Sequence, residues 1–234
     1  TTGATNGSTP AVFSFDRVSG EVVAVSRSQS GVLVKGGPPS ISGNGRFVTF
    51  TSRDPLIRPN APGALPVIPP TDAYVWDRTT RQITIASLND SNELGGYTTV
   101  SNPSVSDDGQ KIAFEAVSNF RQPFVKNASV VDVPQIMLRD QSLQTTRQLS
   151  YDRWDASAFG SSTSPLISSD GSSVAFVSDA DDLVDGDTNA GRDVFVYNRD
   201  ADTAFLTAPA DAAEQAGASC DTSEVVPGYA DLSI

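Results

Sequence analysis

Apolar and polar residues alternate along most of the chain in short runs, which is the pattern of half-buried β-strands. Three runs have the same form, in which a short strand, an Asn-Gly or Asp-Gly turn and a second alternating strand follow one another, at residues 40–50, 104–114 and 166–176. An Asx-Gly turn favours a tight hairpin because both residues tolerate a positive φ angle. The turn glycines lie 64 and then 62 residues apart, at Gly45, Gly109 and Gly171. Three hairpins in phase predict a repeated structural unit.

A second hairpin is predicted after the first in each unit. Its strands are expected at 73–78 and 82–87, at 135–140 and 145–150, and at 193–198 and 203–207. β-branched and aromatic residues dominate these runs, and no amphipathic stretch of ten residues predicts a helix. We therefore expect an all-β fold in which each unit forms four antiparallel strands.

Four-stranded antiparallel units in tandem are typical of the blades of a β-propeller. The motif Ser-x-Asp-Gly-x-x-[Ile/Val]-Ala-Phe resembles the repeats of TolB-like propellers, also called PD40 or WD40-like repeats. The match is best at 106–114 and 168–176, and looser at 42–50, where Asn44 replaces the aspartate. The resemblance covers nearly the whole chain. It implies the fold but no particular activity, because propellers host unrelated functions.

The two ends of the sequence predict incomplete blades. Residues 11–26 match only the second hairpin of a unit, and residues 229–234 match only a first strand. We predict one propeller domain over residues 1–234, with about 3.75 blades, near 11–26, 38–88, 102–150, 164–207 and 229–234. Since six-bladed rings are usual for the family that it resembles, four outcomes are open. The chain closes its own ring, shares blades with another chain, pairs head to tail into a filament, or is a piece of a longer propeller.

Composition and charge narrow the classes of function. The net charge of −12 disfavours binding to nucleic acid or to an anionic membrane, since both require clustered Lys and Arg. With no histidine and one cysteine, the chain lacks His-dependent catalytic triads and intrachain disulfides. No signal peptide or membrane-spanning run is visible, as expected of a mature or trimmed chain. An acidic, Ser/Thr-rich chain with one cysteine favours a secreted protein, extracellular or periplasmic.

One acidic loop has the spacing of a calcium site. Its candidate ligands fall at positions 1, 3, 5, 7 and 9 of an EF-hand-like loop: Asp185, Asp187, Asn189, the carbonyl of Gly191, and Asp193. Oxygen ligands at alternate residues suit Ca²⁺, because a tight loop turns every second side chain inward. Two departures are Ala190 at the glycine position and Val196 at the position of the bidentate glutamate. The alternative is an acidic loop whose Asx side chains cap turns.

No residues in the sequence mark a catalytic site. The Gly-x-Ser-x-Gly nucleophile motif is absent, and nothing singles out a pair among the 28 acidic residues. We therefore expect a non-catalytic module for protein interaction or assembly. Another strand or chain, including a second copy in a homo-oligomer or filament, would complete its end blades. The alternative implied by the resemblance is the propeller part of a prolyl-oligopeptidase-like or tricorn-like peptidase whose catalytic domain lies outside this chain.

Overall fold

The structure is a computed structural model that describes residues 10–54, 56, 71–94, 96–118, 133–151, 160–185, 187, 191–199 and 203–206. These residues form fourteen β-strands and no α-helix. Every pairing between the strands is antiparallel. The predicted all-β class is therefore confirmed. In the part of the chain described, no helix has the length and apolar character needed to cross a bilayer.

The strands are grouped into one two-stranded and three four-stranded sheets, each in chain order. The end sheet consists of β1 (Phe13–Phe15) and β2 (Val22–Ala24). Blade 1 consists of β3 (Ser40–Ile41), β4 (Phe47–Ser52), β5 (Asp72–Asp77) and β6 (Ile83–Ile85). Blade 2 consists of β7 (Tyr97–Val105), β8 (Lys111–Ser118), β9 (Gln135–Asp140) and β10 (Thr145–Gln148). Blade 3 consists of β11 (Ser162–Ile167), β12 (Ser173–Ser178), β13 (Asp193–Asn198) and β14 (Thr203–Leu206).

The Ser-x-Asx-Gly motif forms the same hydrogen-bonded turn in every blade. In blade 2, Ser106 Oγ donates to Asp108 at 2.5 Å and accepts from the N–H of Lys111 at 3.0 Å. Asp108 in turn accepts from the N–H of Gln110 at 2.8 Å, and Gly109 completes the turn at a φ of +72°. The same bonds recur around Ser42 and Asn44 and around Ser168 and Asp170. The repeated residues are thus the ones that close the hairpin.

The first strands of blades 2 and 3 begin earlier than the sequence predicts. β7 begins at Tyr97, ahead of the predicted start near residue 102, and β11 begins at Ser162. Each strand contains a register shift, at Asn102 and Ser164, which have φ angles of +46° and +57°. A β-bulge bends a strand while pairing continues on both sides. The pairing therefore extends upstream of the repeated motif.

Neighbouring sheets pack face to face, and strand alternation gives each sheet two different faces. The N-side face is directed toward the preceding sheet in the chain, and the C-side face toward the following sheet. Large side chains dominate the N-side faces, namely Phe50, Tyr74 and Trp76 in blade 1, Ile112 and Phe114 in blade 2, and Phe176, Phe195 and Tyr197 in blade 3. Smaller side chains dominate the C-side faces, namely Val12 and Val23 in the end sheet, Ala73 and Val75 in blade 1, and Ala113, Ile136 and Leu138 in blade 2.

Each of these C-side faces packs against the N-side face of the next sheet in its own buried apolar cluster. Complete burial of one large apolar side chain stabilises a fold by about 1.5–3 kcal/mol, so these interfaces hold the sheets together. Hydrogen bonds also connect the repeated turns. The N–H of Asn44 donates to Asp107 at 2.9 Å, and the N–H of Asp107 donates to the Ser169 carbonyl at 2.8 Å. Equivalent turns of the three blades therefore lie side by side, as expected in a propeller-like fold.

Candidate functional site

The end sheet has the structure of the second half of a blade. Asp16 at the end of its first strand accepts the N–H of Val18 at 2.7 Å, just as Asp77 in blade 1 accepts the N–H of Thr79 at 2.8 Å. Both aspartates therefore cap the turn that follows their strand. β1 and β2 therefore correspond to β5 and β6 of blade 1, and the described residues contain no strand equivalent to β4 beside β1.

Among the described residues, no strand pairs with the second edge of β1. Backbone hydrogen bonds join Asp16 to Glu21 and Val25 to Val12 across the end sheet. Hydrogen-bonded and non-hydrogen-bonded pairs alternate in an antiparallel ladder, so Phe13 and Phe15 direct their backbone N–H and C=O groups away from β2. In a complete blade, the second strand pairs along this edge, as β4 pairs with β5.

The N-side face of the end sheet is exposed. Phe13 is 54% exposed and Phe15 is 66% exposed, whereas Tyr74 and Trp76, their equivalents in blade 1, are buried. Val22, which lies across from Phe15 on the same face, is also exposed. An apolar face that is covered in every complete blade is thus open to solvent here. We call Phe13, Phe15 and Val22 the end-sheet face.

The C-side face of blade 3 is also incompletely covered. Leu166 is 60% exposed, and Ala175, with which it pairs, is half-buried. Val177 and Val196 lie on the same face and are half-buried as well. Their counterparts in blade 2, among them Ala113 and Leu138, are buried against blade 3. We call Leu166, Ala175, Val177 and Val196 the blade-3 face.

Polar contacts hold the end sheet against blade 1. Arg78 of blade 1 forms an ion pair with Asp16, and Arg81 forms a second with Glu21 at 3.2 Å. These bonds add to the apolar packing of its C-side face, so the end sheet keeps the orientation of a blade while its N-side face points outward.

The acidic loop follows β12, and its first part belongs to the core. Ala180 and Leu183 pack in the cluster between blades 2 and 3. Of the predicted ligands, Asp185 is exposed, Asp187 and Gly191 are half-buried, and Asp193 at the start of β13 is buried; Asn189 lies outside the described residues. Within the described ranges, no three acidic, His or Cys side chains are placed to share a metal ion. Because residues 186 and 188–190 are not among them, calcium binding stays a prediction.

Removal of calcium gives the loop its own test. If Ca²⁺ binds there at about 100 times its Kd, EDTA removes about 2.7 kcal/mol of stability. We expect the melting temperature to fall by roughly 5–10 °C, since about 2–4 °C corresponds to 1 kcal/mol at this chain length. Asp187→Ala should remove the response to EDTA, whereas Asp181→Ala, an exposed aspartate outside the ligand set, should retain it. If EDTA does not change the melting temperature of the unsubstituted chain, the loop does not bind calcium and its Asx side chains only cap turns.

Several residues considered in the sequence lie outside the described part of the chain. They are most of residues 55–70 within predicted blade 1, residues 119–132 within predicted blade 2, and residues 229–234, predicted as the first strand of a further blade. Leu56 is described; it is buried in the cluster between the end sheet and blade 1.

The structure adds a buried carboxylate that we did not single out in the sequence. Glu115 on β8 is 6% exposed and accepts hydrogen bonds from Ser101 at 2.7 Å and Asn102 at 2.6 Å in its own blade. It also accepts the N–H of Ser164 in blade 3 at 2.5 Å. Glu115 therefore joins the two bulges across the interface between blades. In the sequence, Glu115 could have been identified because the equivalent position of the repeat in blade 3 holds the apolar residue Val177.

A buried arginine is the second such residue. Arg139 is 1% exposed and donates to Asn92 at 2.5 Å and to Thr146 at 3.3 Å. Burial lowers the pKa of its guanidinium from the usual value. Trp76 and Tyr197 occupy the equivalent position in blades 1 and 3. In the sequence, a charged residue at a position that is aromatic in the other two blades could have identified Arg139.

The carboxylates whose pKa values are lowered lie at hairpin turns, where they accept hydrogen bonds. A hydrogen bond from Arg46 lowers the pKa of Asp77 to about 2, and one from Ser168 does the same for Asp170. For Asp140, burial opposes ionisation, but hydrogen bonds from Ser142 and Lys111 prevail and lower its pKa to about 2. These groups are ionised and already bound within turns at neutral pH, so none is suited to act as a catalytic acid.

Comparison with known proteins concerns the fold. No protein-family model matches the chain, and neither does any curated protein sequence. Among solved structures, the chain is similar to TolB from Acinetobacter baumannii, with 19% identity and a TM-score of 0.47 over 88% of this chain and 39% of TolB. It is similar to the tricorn protease, with 11% identity and a TM-score of 0.48 over 85% of this chain and 20% of that protein.

A structure of prolyl endopeptidases is similar as well, with 13% identity and a TM-score of 0.47 over 84% of this chain and 25% of that one. The chain thus spans 39% or less of the length of each of these proteins. The fold is assigned from the described sheets themselves, which are repeated four-stranded antiparallel sheets packed face to face. The chain has an all-β, propeller-like fold.

Proposed function

We propose that the chain is a non-catalytic propeller module that binds another polypeptide strand at its end sheet, in the periplasm or outside the cell. The observation that supports the proposal is the two-stranded end sheet, in which no described strand pairs with the second edge of β1 and the aromatic N-side face is exposed. An exposed strand edge beside an apolar face recruits an additional strand, because main-chain hydrogen bonds supply affinity and side chains supply specificity.

The complete blades indicate which kind of strand fits. In blade 3, Phe176 of the second strand stands across from Phe195 of the third, and their rings stack at 5.7 Å between centroids. Phe50 and Tyr74 form the same pair in blade 1, also at 5.7 Å. Phe13 occupies the third-strand position in the end sheet. The incoming strand should therefore carry an aromatic residue that stacks on Phe13, within an alternating apolar pattern.

The alternative is that the chain is the propeller part of a larger peptidase. In that case the catalytic domain lies outside this sequence, which contains no histidine. A serine nucleophile can use a lysine as its base, but Lys111 forms an ion pair with Asp140 at 3.0 Å and is largely buried. Neither group is therefore placed to activate a nucleophile, and the described residues favour the binding role.

A synthetic strand tests the binding role directly. The probe is a labelled peptide with the sequence of residues 172–179, the second strand of blade 3, added to dilute chain and followed by fluorescence anisotropy. We expect saturable binding. A peptide with serine at the Phe176 position should bind at least about tenfold more weakly, because it loses the aromatic pair and its buried area.

Variants of the chain provide the controls. Phe15→Pro removes a backbone N–H from the β1 edge and should abolish peptide binding, whereas Phe15→Leu retains that N–H and should bind the peptide more weakly but measurably. The proposal is contradicted if the unsubstituted chain does not bind the peptide, or if Phe15→Pro binds it as well as Phe15→Leu. Hydrolysis of a peptide or glycoside panel by the purified chain would also contradict the non-catalytic role.

A further inference from the structure

The described sheets carry an exposed apolar face at one end of their row and an incompletely covered apolar face at the other end. The end-sheet face belongs to the first of the described sheets, and the blade-3 face belongs to the last of them. The two do not cover each other within one chain, since Phe15 is 66% exposed and Leu166 is 60% exposed. Large contiguous apolar patches are uncommon on the surface of monomeric proteins and often mark sites of association.

The two faces are of the types that pack together inside the molecule. The end-sheet face is an N-side face, with phenylalanines at positions that Phe195 and Tyr197 occupy in blade 3. The blade-3 face is a C-side face of smaller aliphatic side chains, comparable to Ala113 and Leu138 in blade 2. Between blades 2 and 3, these two kinds of face form one buried cluster. The same combination of aromatic and aliphatic faces packs blade 1 against blade 2.

We propose that the end-sheet face of one molecule docks on the blade-3 face of a second copy of the same chain. This rests on the proposed function, since it names the partner of the same end sheet. The contact repeats the interface between consecutive blades, so the second copy continues the row of sheets. Because the two surfaces differ, the contact is heterologous and propagates into a closed ring or an open filament.

Charge sets the conditions for this association. Each copy carries a net charge of −12, so two copies repel each other at low ionic strength. The docking faces themselves are apolar, and their attraction does not depend on ion pairs. Added salt screens the repulsion. The average mass of the purified chain should therefore rise with protein concentration, and rise further between 20 mM and 500 mM NaCl.

Two singly blocked variants test the proposal by light scattering. Phe15→Asp blocks the end-sheet face and leaves the blade-3 face intact, while Val196→Asp does the reverse. Each variant alone should be monomeric under conditions where the unsubstituted chain associates. An equimolar mixture should form a 1:1 dimer and no larger species, because each molecule retains one usable face. Leu143→Asp, at an apolar residue that is 70% exposed on the turn between β9 and β10, should associate like the unsubstituted chain.

Other outcomes overturn this inference and can be told apart from failure of the proposed function. A chain that stays monomeric at high concentration and high salt but binds the 172–179 peptide refutes the second copy and retains strand binding. If Phe15→Asp abolishes association but Val196→Asp does not, the contact is not the one proposed. Circular dichroism and the melting temperature of each variant establish that it is folded. Should Val196→Asp fail to fold, Leu166→Asp replaces it on the more exposed side of the same face.

Discussion

Replacement of Gly109 by alanine is expected to lower the free energy of unfolding by roughly 2–5 kcal/mol. Gly109 has a φ of +72°, a conformation that costs an L-residue about 1–2 kcal/mol. A Cβ atom would also meet the Phe47 ring of blade 1 at 2.5 Å, and overpacking of this kind costs about 1–3 kcal/mol. Denaturant unfolding of dilute chain, below the concentration at which it associates, measures the loss.

The same substitution in blade 1 is the matched control. Gly45 occupies the equivalent turn with a φ of +71°, but its Cβ position lies in open space. Gly45→Ala should therefore cost only the backbone term, about 1–2 kcal/mol. Gly171→Ala should fall between the two, since the nearest atom is Lys111 Cγ at 2.9 Å, on a flexible side chain. Equal losses at Gly45 and Gly109 would mean that blade 2 does not pack against Phe47.

Phe176→Ala is expected to lower the free energy of unfolding by about 3–5 kcal/mol, the usual loss for a phenylalanine in a core. Phe176 is 1% exposed and stacks on Phe195 within the cluster that joins blades 2 and 3. Phe13→Ala removes the same number of atoms from a residue that is 54% exposed. Its loss should be below about 1 kcal/mol in the monomer.

This pair of phenylalanines distinguishes a covered face from an uncovered one. If Phe13→Ala costs as much as Phe176→Ala in dilute chain, the end-sheet face is already buried and cannot be the docking surface. If Phe13→Ala has a small effect on stability but a large effect on association, Phe13 acts at the interface. The same denaturant measurement serves for both variants.

Most of the fold could be predicted because its repeated turns are encoded locally. Ser106, Asp108 and Gly109 close their hairpin with bonds that span no more than five residues. Their spacing alone identifies the hairpin wherever it recurs. The early start of β7 could not be predicted in this way. It depends on a bulge at Asn102, a non-glycine residue with a positive φ that is held by Glu115, and Glu115 also binds the next blade.

The candidate site was predictable only in part, for a similar reason. The correspondence of the end sheet to the second hairpin of a blade follows from residues 11–26 and from the repeat. Which side of a strand is covered depends on the neighbouring sheet, so the sequence alone does not distinguish exposed Phe13 from buried Phe195. Likewise, the spacing of the acidic residues around Asp187 predicts which oxygen atoms could bind a cation, but it does not show whether these atoms lie close enough together to share one. The roles of Glu115 and Arg139 arise from partners distant in the sequence, and only their departure from the repeat pattern signals them.

Amide hydrogen exchange at Phe13 and Phe15 is the most direct test of the end sheet as the binding site. Both N–H groups lie on the β1 edge that faces away from β2, so in dilute chain they should exchange rapidly. The N–H of Asp16, which donates to Glu21 at 2.8 Å, should exchange slowly. Saturating 172–179 peptide should slow exchange at Phe13 and Phe15 at least about tenfold and leave Asp16 nearly unchanged. Slow exchange at Phe13 and Phe15 before any peptide is added, or rapid exchange that persists at saturation, would contradict the account.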